Sequence, residues 1–185
     1  MPEYARLGDR PLRRAIGVPA TTTVAQALRR TEGNWLVVLD SDGVPLSTVA
    51  PDDLARATGD ATLAALVPGL PPVLTAAVSI RITDLLASPL LDEFEPGSAV
   101  IATDGDRVVG VWAGPDLMAA VATGTPRAYW EAELPGEITI PLLTRACRYT
   151  QEGTDCTGVL RFPERPRQPP PCPNPGALSA HDFVW

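Results

Sequence analysis

One hydrophobic pattern occurs twice along the chain, over residues 34–54 and again over residues 97–117. In both copies a continuous apolar run meets a polar turn, and a second strand-like segment follows. The turns, SDG at residues 41–43 and DGD at residues 104–106, are combinations that close tight hairpins. Unbroken apolar runs suit strands that are buried on both faces. Each copy therefore predicts a buried hairpin, and the acidic segment after it predicts the start of a helix.

A helix is also predicted before each hairpin, because apolar residues there recur at helical spacing. Val24, Ala27 and Leu28 follow three threonines that offer an N-cap. The hairpins are displaced by 63 positions but these helices by only 58, so the second copy has gained five residues. We place the gain in the acidic stretch 88–97. The helix residues of the second copy are Ile82, Leu85 and Leu86.

The order strand, helix, strand, strand, helix, found twice, predicts an α/β (α+β) fold of two βαββα units. Neither unit alone has enough strands to bury both faces of its apolar run. We therefore expect the units to be related by a pseudo-twofold axis, with their sheets facing each other over a cleft. The first 20 residues predict a solvated arm. The predicted domains are an arm at 1–9, repeats at 10–66 and 67–124, and a C-terminal tail at 125–185.

Composition and charge narrow the classes of partner. The net charge of -7 and the pI near 4.7 argue against nucleic acid, which needs a basic footprint. No apolar run is long enough to cross a bilayer, and the N-terminus lacks the apolar core of a secretory signal, so we expect a cytoplasmic protein without a membrane partner. All 15 basic residues are Arg and 21 residues are Pro, a composition typical of GC-rich bacterial genomes.

The sequence offers few groups for catalysis. It has one His, no Lys and no nucleophile elbow, so the usual acid–base and covalent schemes lack participants. Carboxylate pairs such as Asp52 with Asp53 are adjacent in sequence, and their side chains therefore diverge. We expect no enzymatic activity.

Residues 10–124 resemble a tandem pair of cystathionine β-synthase (CBS) domains, the Bateman module. The family signature at the hairpin-to-helix junction is G-h-h-[ST]-x-x-D-h, where h is apolar. This chain reads STVAPDDL at residues 47–54 and GVWAGPDL at residues 110–117, so both copies keep the Asp and replace the hydroxyl residue by Ala50 and Ala113. The resemblance implies a regulatory protein that binds an adenine nucleotide or related adenosyl ligand in its central cleft.

The resemblance also implies which residues would bind. Asp53 and Asp116 would accept hydrogen bonds from a ribose, although an Asp in a first helical turn also stabilises the helix dipole without any ligand. Arg107 could supply charge to a phosphate. The adenine-lining residues would be Ile16, Gly17, Val18 and Leu46 in one site, and Val73, Leu74 and Val109 in the other. The alternative is a dimerisation or protein-interaction module whose clefts are empty because of Ala50 and Ala113.

The family resemblance further implies a homodimer, which would act on an unidentified regulated protein. A twofold axis is the commonest closed symmetry. Met118, in the helix after the second hairpin, is instead expected to fill space in the core. The apolar positions expected to meet across the axis are Leu54, Ala57, Leu117 and Val121.

The tail carries every Cys and the single His of the chain. They have the spacing C-x8-C-x15-C-x8-H, and a hairpin with its turn at residues 152–153 would set Cys156 opposite Tyr149, on the same face as Cys147. A Pro-rich segment cannot build a core of its own. We therefore predict one structural zinc, whose removal would melt residues 140–185 and leave the repeats intact. The ligands would be Cys147, Cys156, Cys172 and His181.

Three other interpretations of the tail stay open. The cysteines could be unrelated, or two could form a disulfide that leaves one odd thiol, which a reducing cytosol disfavours. The tail could also make the chain a metal-responsive or redox-responsive adaptor.

Overall fold

The structure, a computed structural model, describes residues 6–122, 141–151, 153–174 and 181–185. The first part of the predicted tail, residues 125–140, lies outside the described residues. So does the side chain of Val121, one of the predicted dimer contacts.

Repeat 1 has the predicted βαββα order. Its first two strands are parallel and the second and third are antiparallel. Thr23 begins the first helix with a reciprocal cap, since its hydroxyl accepts from the Gln26 N–H and its own N–H donates to the Gln26 side chain. Leu28, predicted on the buried face of this helix, is 40% exposed. The elements are β1 (Ala15–Pro19), α1 (Val24–Thr31), β2 (Trp35–Leu39), β3 (Pro45–Val49) and α2 (Pro51–Arg56).

Repeat 2 repeats this order with the same pairing, parallel and then antiparallel. The prediction of two βαββα repeats is therefore confirmed in element order and in sheet topology, while the exact domain boundaries stay predictions. A short helix, α3 (Leu63–Leu66), joins the repeats. The elements of repeat 2 are β4 (Val73–Ala77), α4 (Ile82–Leu86), β5 (Ala99–Asp104), β6 (Arg107–Ala113) and α5 (Gly114–Ala122).

The extra residues of the second copy form a 3-10 helix, Pro89–Glu93. Ala15 pairs with Trp35 in repeat 1, and Val73 pairs with Ala99 in repeat 2, so the second copy is six residues longer between its first two strands. Its hairpin is one residue shorter, which leaves the net gain of five read from the sequence. Leu90 of the inserted helix is buried and anchors this segment on the core of repeat 2.

The two repeats contact each other through equivalent strands. Arg13, just before β1, exchanges two backbone hydrogen bonds with Val111 of β6, at 2.7 and 3.0 Å. The equivalent position in repeat 2 is Pro71, which has no N–H to donate. There the Ser47 hydroxyl of β3 donates to the Pro71 carbonyl at 3.2 Å instead. This reciprocal contact of equivalent strands is what a pseudo-twofold relation produces. Besides the core of each repeat, a further cluster of buried apolar residues fills the space between the two sheets. Its members are Val37, Val73, Ala99, Ile101 and Val111.

The prediction of a solvated N-terminal arm is wrong for the described part of that arm. Leu7 is fully buried in the core of repeat 2. The backbone N–H groups of Leu7 and Gly8 donate to the carbonyls of Ile80 and Val78, both at 2.9 Å. One apolar side chain and two backbone hydrogen bonds are enough to fix the arm on repeat 2.

The tail is joined to repeat 2, because two of its strands extend the sheet of that repeat. β7 (Leu142–Ala146) is antiparallel to β4, and β10 (Val159–Phe162) is antiparallel to β7, which gives the strand order β10-β7-β4-β5-β6. Leu143 and Phe162 are buried in the core of repeat 2. The structure therefore argues against a tail that melts without affecting the repeats.

Two predictions about exposed apolar residues also need correction. Leu54 and Leu117, expected at a dimer surface, are fully buried, each within the core of its own repeat. Met118, expected in the core, is 56% exposed on α5. Leu54 and Leu117 face inward because each packs onto the sheet of its own repeat, and Met118 lies on the exposed side of its helix.

Candidate metal centre

All four predicted ligands of the tail lie together. One ligand atom from each of the four side chains falls within 4.8 Å of the others. The Cys147 Sγ lies 3.6 Å from the His181 Nε2, and the Cys156 Sγ lies 3.5 Å from the Cys172 Sγ. The last contact joins two thiols and is not a disulfide. The side chains form a compact Cys3His group that can hold one metal ion.

The first two cysteines are placed by a short hairpin, β8 (Thr150–Gln151) and β9 (Thr154–Asp155). The backbone N–H of Cys156 donates to the Tyr149 carbonyl at 2.8 Å, so the predicted opposition of these residues is confirmed. Cys147 directly follows β7, and its N–H donates to the Gly158 carbonyl at 2.8 Å. The sulfurs of Cys147 and Cys156 are thereby fixed at the end of the β7–β10 ladder.

The other two ligands come from the Pro-rich return and the C-terminus. An isolated antiparallel bridge joins Pro171 to Asp182, and the Cys172 N–H donates to the His181 carbonyl at 2.9 Å. The Tyr149 ring stacks on the His181 ring, with centroids 3.9 Å apart and planes 17° from parallel. This stacking holds the imidazole in the orientation that points Nε2 towards the sulfurs.

Three N–H groups donate to the sulfurs. The Gly158 backbone and the Asn174 side-chain amide approach the Cys156 Sγ at 3.3 and 3.4 Å, and the Val184 N–H approaches the Cys147 Sγ at 3.5 Å. Such donors stabilise thiolate charge and orient metal ligands. The sequence pattern did not point to Gly158 or Asn174, and only their distance of two residues from a Cys could have suggested them.

Without a cation the thiols differ in acidity. Burial raises the pKa of Cys156, but donation from the Gly158 N–H and the Asn174 amide more than offsets it and brings the pKa to about 7. Burial and the neighbouring Cys156 and Cys147 thiols raise the pKa of Cys172 to about 11. Three thiolates crowded into one buried group repel each other, and a divalent cation removes that repulsion.

The group fits a single tetrahedral ion. Bonds of about 2.3 Å to sulfur and about 2.0 Å to nitrogen place the ligand atoms of a tetrahedron roughly 3.5 to 3.8 Å apart. The two contacts of 3.6 and 3.5 Å match that separation. A two-iron cluster would hold its two ligand pairs farther apart, because two metals lie between them. The Cys3His donor set is one that structural zinc sites use.

The two Asp residues implied by the CBS resemblance occupy equivalent positions but have different partners. Asp53, in the first turn of α2, pairs with Arg56 of the same helix. Asp116, in the first turn of α5, accepts from Arg13 Nη2 at 3.1 Å, and Arg13 belongs to the other repeat. The Arg13–Asp116 pair is a contact between repeats that the sequence pattern missed. Both carboxylates are substantially exposed.

The adenine-lining candidates are placed at different depths. Val18 and Val73 are buried core residues, so only their backbone could meet a ligand. Val109 is 41% exposed, and Ile16 and Leu46 are half-buried against the core of repeat 1. Arg107, the candidate phosphate ligand, pairs with Asp104 of its own hairpin at 3.7 Å. A binding role for these residues stays a prediction.

No protein-family model and no curated protein sequence matches the chain. Solved structures of CBS domain pairs do resemble it. It is 21% identical to the CBS pair domain of a putative Mg2+ transporter from Shewanella oneidensis MR-1, with a TM-score of 0.37 and coverage of 64% of this chain and 68% of that one. It is 18% identical to CBSX2, solved in complex with AMP, with a TM-score of 0.38 and coverage of 64% and 96%.

A third similar structure is the soluble part of a magnesium transporter, at 18% identity and a TM-score of 0.43. The match covers 64% of this chain but only 48% of that protein, about half its length. Along the described ranges, none of the helices has the length and apolar character needed to cross a bilayer.

Proposed function

We propose that this chain is a cytoplasmic, non-catalytic CBS-pair protein that carries one structural zinc and regulates a partner protein in response to an adenine nucleotide. The zinc is supported by the Cys3His group, in which the Cys156–Cys172 and Cys147–His181 contacts of 3.5 and 3.6 Å have the spacing of a tetrahedral site. The N–H donors around Cys156 and Cys147 fit thiolate ligands. Zinc bound there would supply structural stability and no reaction.

Elemental analysis of the purified chain tests the zinc, and we expect close to one equivalent per chain. Cys172→Ser should lower that content, and a control change at the exposed Thr157 (Thr157→Ser) should not. Iron in place of zinc would change the metal assignment, and less than a tenth of an equivalent of any metal would refute the centre. A mass lower by two hydrogens would instead indicate a Cys156–Cys172 disulfide and favour the redox-responsive adaptor.

The proposal that the chain binds an adenine nucleotide is supported by the Asp of the signature and by the contact between repeats at Asp116. Arg13 reaches Asp116 from the other repeat, so this carboxylate lies where the repeats meet, and its exposure leaves it accessible to a ribose. Its acceptor oxygens are the chemistry that ribose hydroxyls require. The AMP complex of CBSX2 makes AMP the first ligand to screen.

Thermal shift against AMP, ADP, ATP and S-adenosylmethionine tests this part. A ligand at one hundredfold excess over its Kd stabilises by about 2.7 kcal/mol, which a melting curve resolves readily. Asp116→Asn should abolish the shift while Asp106→Asn, at an exposed hairpin carboxylate, should preserve it. The same shift in both variants would contradict a role for Asp116.

The second candidate is an interaction module with empty clefts. It is favoured by Ala50 and Ala113, which remove a hydroxyl from each signature, and by the burial of Val18 and Val73. In this case the nucleotide screen gives no shift. Self-association as a homodimer then becomes the main output, and light scattering should report twice the mass of 19.6 kDa. A monomer at micromolar concentration would count against both the dimer and this second candidate.

A further inference from the structure

We propose that the metal centre controls how the two repeats dock on each other. This inference rests on the proposed zinc site and adds a regulatory consequence to it. The strands next to Cys147 and Cys156, β7 and β10, pack against the cores of both repeats, so we expect loss of the metal to alter repeat 1 although repeat 1 contributes no ligand.

The strand pair nearest the metal packs on repeat 1. Ala146 and Val159 face each other in the β7–β10 ladder, directly before Cys147 and shortly after Cys156. Both side chains pack in the core cluster of repeat 1. At the far end of the same ladder, Leu143 pairs with Phe162, and both are buried in the core of repeat 2. The ladder thus lies between the two cores, and the metal centre lies at the end of the ladder where Ala146 pairs with Val159.

An ion pair fixes the same ladder to the hairpin of repeat 1. Arg161 of β10 donates to the Asp40 Oδ2 at 2.6 Å, and both side chains are partly buried. The other oxygen of Asp40 accepts from the N–H groups of Asp42 and Val44, at 2.9 and 2.8 Å, and so shapes the hairpin turn itself. Displacement of β10 would therefore act on the β2–β3 hairpin through one carboxylate.

A second ionic contact holds β7 on repeat 2. Arg145 is 9% exposed and pairs with Glu93 at 3.1 Å and with Glu95, both in the segment that only the second repeat contains. This contact lies on the side of the ladder away from repeat 1. When the metal is lost, repeat 2 keeps its hold on β7 through Arg145 and the β4–β7 hydrogen bonds. Repeat 1 contacts the ladder through the side chains of Ala146, Val159 and Arg161, and among the described residues its sheet shares no strand pairing with β7 or β10.

These contacts predict an asymmetric response to metal. The bound ion ties the C-terminal end of β7 to the N-terminal end of β10, which keeps Ala146 and Val159 paired and seated on repeat 1. Loss of the ion frees those ends, and repeat 1 loses both its apolar cover and the Arg161–Asp40 pair. Zinc binding and repeat docking are then coupled, and the coupling is reciprocal in free energy.

Hydrogen–deuterium exchange on the full chain tests the coupling, with zinc content measured on the same samples. The informative segment is residues 35–49, the β2–β3 hairpin, which contains no ligand. On removal of zinc by a chelator we expect exchange there to become about tenfold faster, and on return of zinc alone we expect the slow rate to be restored. The β5–β6 hairpin of repeat 2 should change less.

A variant that removes one charge tests whether the effect of zinc on repeat 1 passes through the Arg161–Asp40 pair. Asp40→Asn keeps an oxygen for the turn N–H groups but loses the charge that pairs with Arg161. We expect it to bind zinc like the parent chain and to show less than half of the zinc-dependent change at residues 35–49. Asp42→Asn, at an exposed position of the same turn, is the matched control and should behave like the parent.

The outcomes separate the two proposals. If zinc binds at one equivalent and its removal alters exchange only within the tail, residues 141–185, the zinc centre stands and the coupling is overturned. An equal response in Asp40→Asn and the parent overturns the route through Arg161. A chain that binds no metal overturns both the centre and the coupling.

Discussion

Gly158 lies so close to Cys172 that a Cβ on the glycine would overlap the Cys172 Sγ. The same Cβ would lie 3.4 Å from the Cys156 Sγ and 3.2 Å from the Asn174 Cβ. The glycine is thus a packing requirement of the metal centre. Its N–H is also one of the donors to Cys156, so the backbone must keep this close approach.

Gly158→Ala should therefore weaken metal binding. The methyl group forces Cys172 away from its position, and changes next to a metal shell typically cost about 10- to 100-fold in affinity. Competition with a chromogenic zinc chelator measures the loss. Gly69→Ala is the control, because a Cβ on Gly69 meets open space. Equal zinc affinity in the two variants would show that Cys172 is not a ligand.

Thr48 places a buried hydroxyl between the repeats without a hydrogen-bond partner among the residues that the structure describes. The equivalent position in repeat 2 is Val111, which is also buried. Thr48→Val should raise the free energy of unfolding by about 1 kcal/mol, because it removes an unsatisfied polar group and keeps the shape.

Chemical denaturation measures this change, and the neighbouring Ser47 supplies the control. The Ser47 hydroxyl donates to the Pro71 carbonyl, so Ser47→Ala should destabilise by about 1 kcal/mol, the opposite sign. A destabilised Thr48→Val would mean that the hydroxyl has a partner, such as a buried water, between the repeats.

The buried side chain of Arg145 pairs with the carboxylates of Glu93 and Glu95. Arg145→Met should destabilise the fold by about 2 to 4 kcal/mol, because it leaves Glu93, whose side chain is 14% exposed, with one partner fewer in a buried setting. Arg165 and Arg148 still pair with Glu93 and Glu95, which keeps the loss from being larger.

Arg56→Met is the matched control for Arg145. Its pair with Asp53 is 73% and 56% exposed, so removal should change stability by less than about 1 kcal/mol. Urea denaturation of both variants compares the two pairs. A loss in Arg145→Met no larger than in Arg56→Met would show that the Arg145 network contributes little.

Local sequence patterns predicted most of the secondary structure, because the hydrophobic period, the turn residues and the helix caps each involve only a few neighbouring positions. The two βαββα units, the five-residue gain and the opposition of Cys156 and Tyr149 are all local relations. The pairing of β7 with β4 joins residues about seventy positions apart, and no local pattern in the sequence identifies β4 as the partner of β7. Arg145 reads as a surface charge until Glu93 and Glu95 are placed beside it.

The candidate site shows the same division. The four ligands could be predicted because they are the chain's only Cys and His residues, and their concentration needs no knowledge of the fold. The N–H donors from Asn174 and Val184, and the space that only Gly158 leaves, depend on tertiary packing. The Arg13–Asp116 contact depends on the reciprocal arrangement of the repeats and has no local signal.

Asp40 gives the contact between tail and repeat 1 a definite dependence on pH. Burial raises its pKa, but the hydrogen bond from Arg161 and the N–H groups of Val44 and Asp42 outweigh it, so the pKa lies below the ordinary value of 3.8. The folded state therefore binds this proton less readily than the unfolded state. The stabilisation is fully present above 3.8 and is lost as the pH falls through the folded-state pKa.

Asp40→Asn should consequently lower the melting temperature at neutral pH, and the gap from the parent should close in acid. Melting curves from about pH 7 down to about pH 3 measure the difference in melting temperature between the variant and the parent. Taking this difference cancels the contribution of the other carboxylates, because they titrate in both chains. Asp42→Asn, exposed in the same turn, should give a much smaller gap at neutral pH. A gap for Asp40→Asn that stays constant down to pH 3 would contradict a lowered pKa, and with it the charged pairing of Asp40 with Arg161.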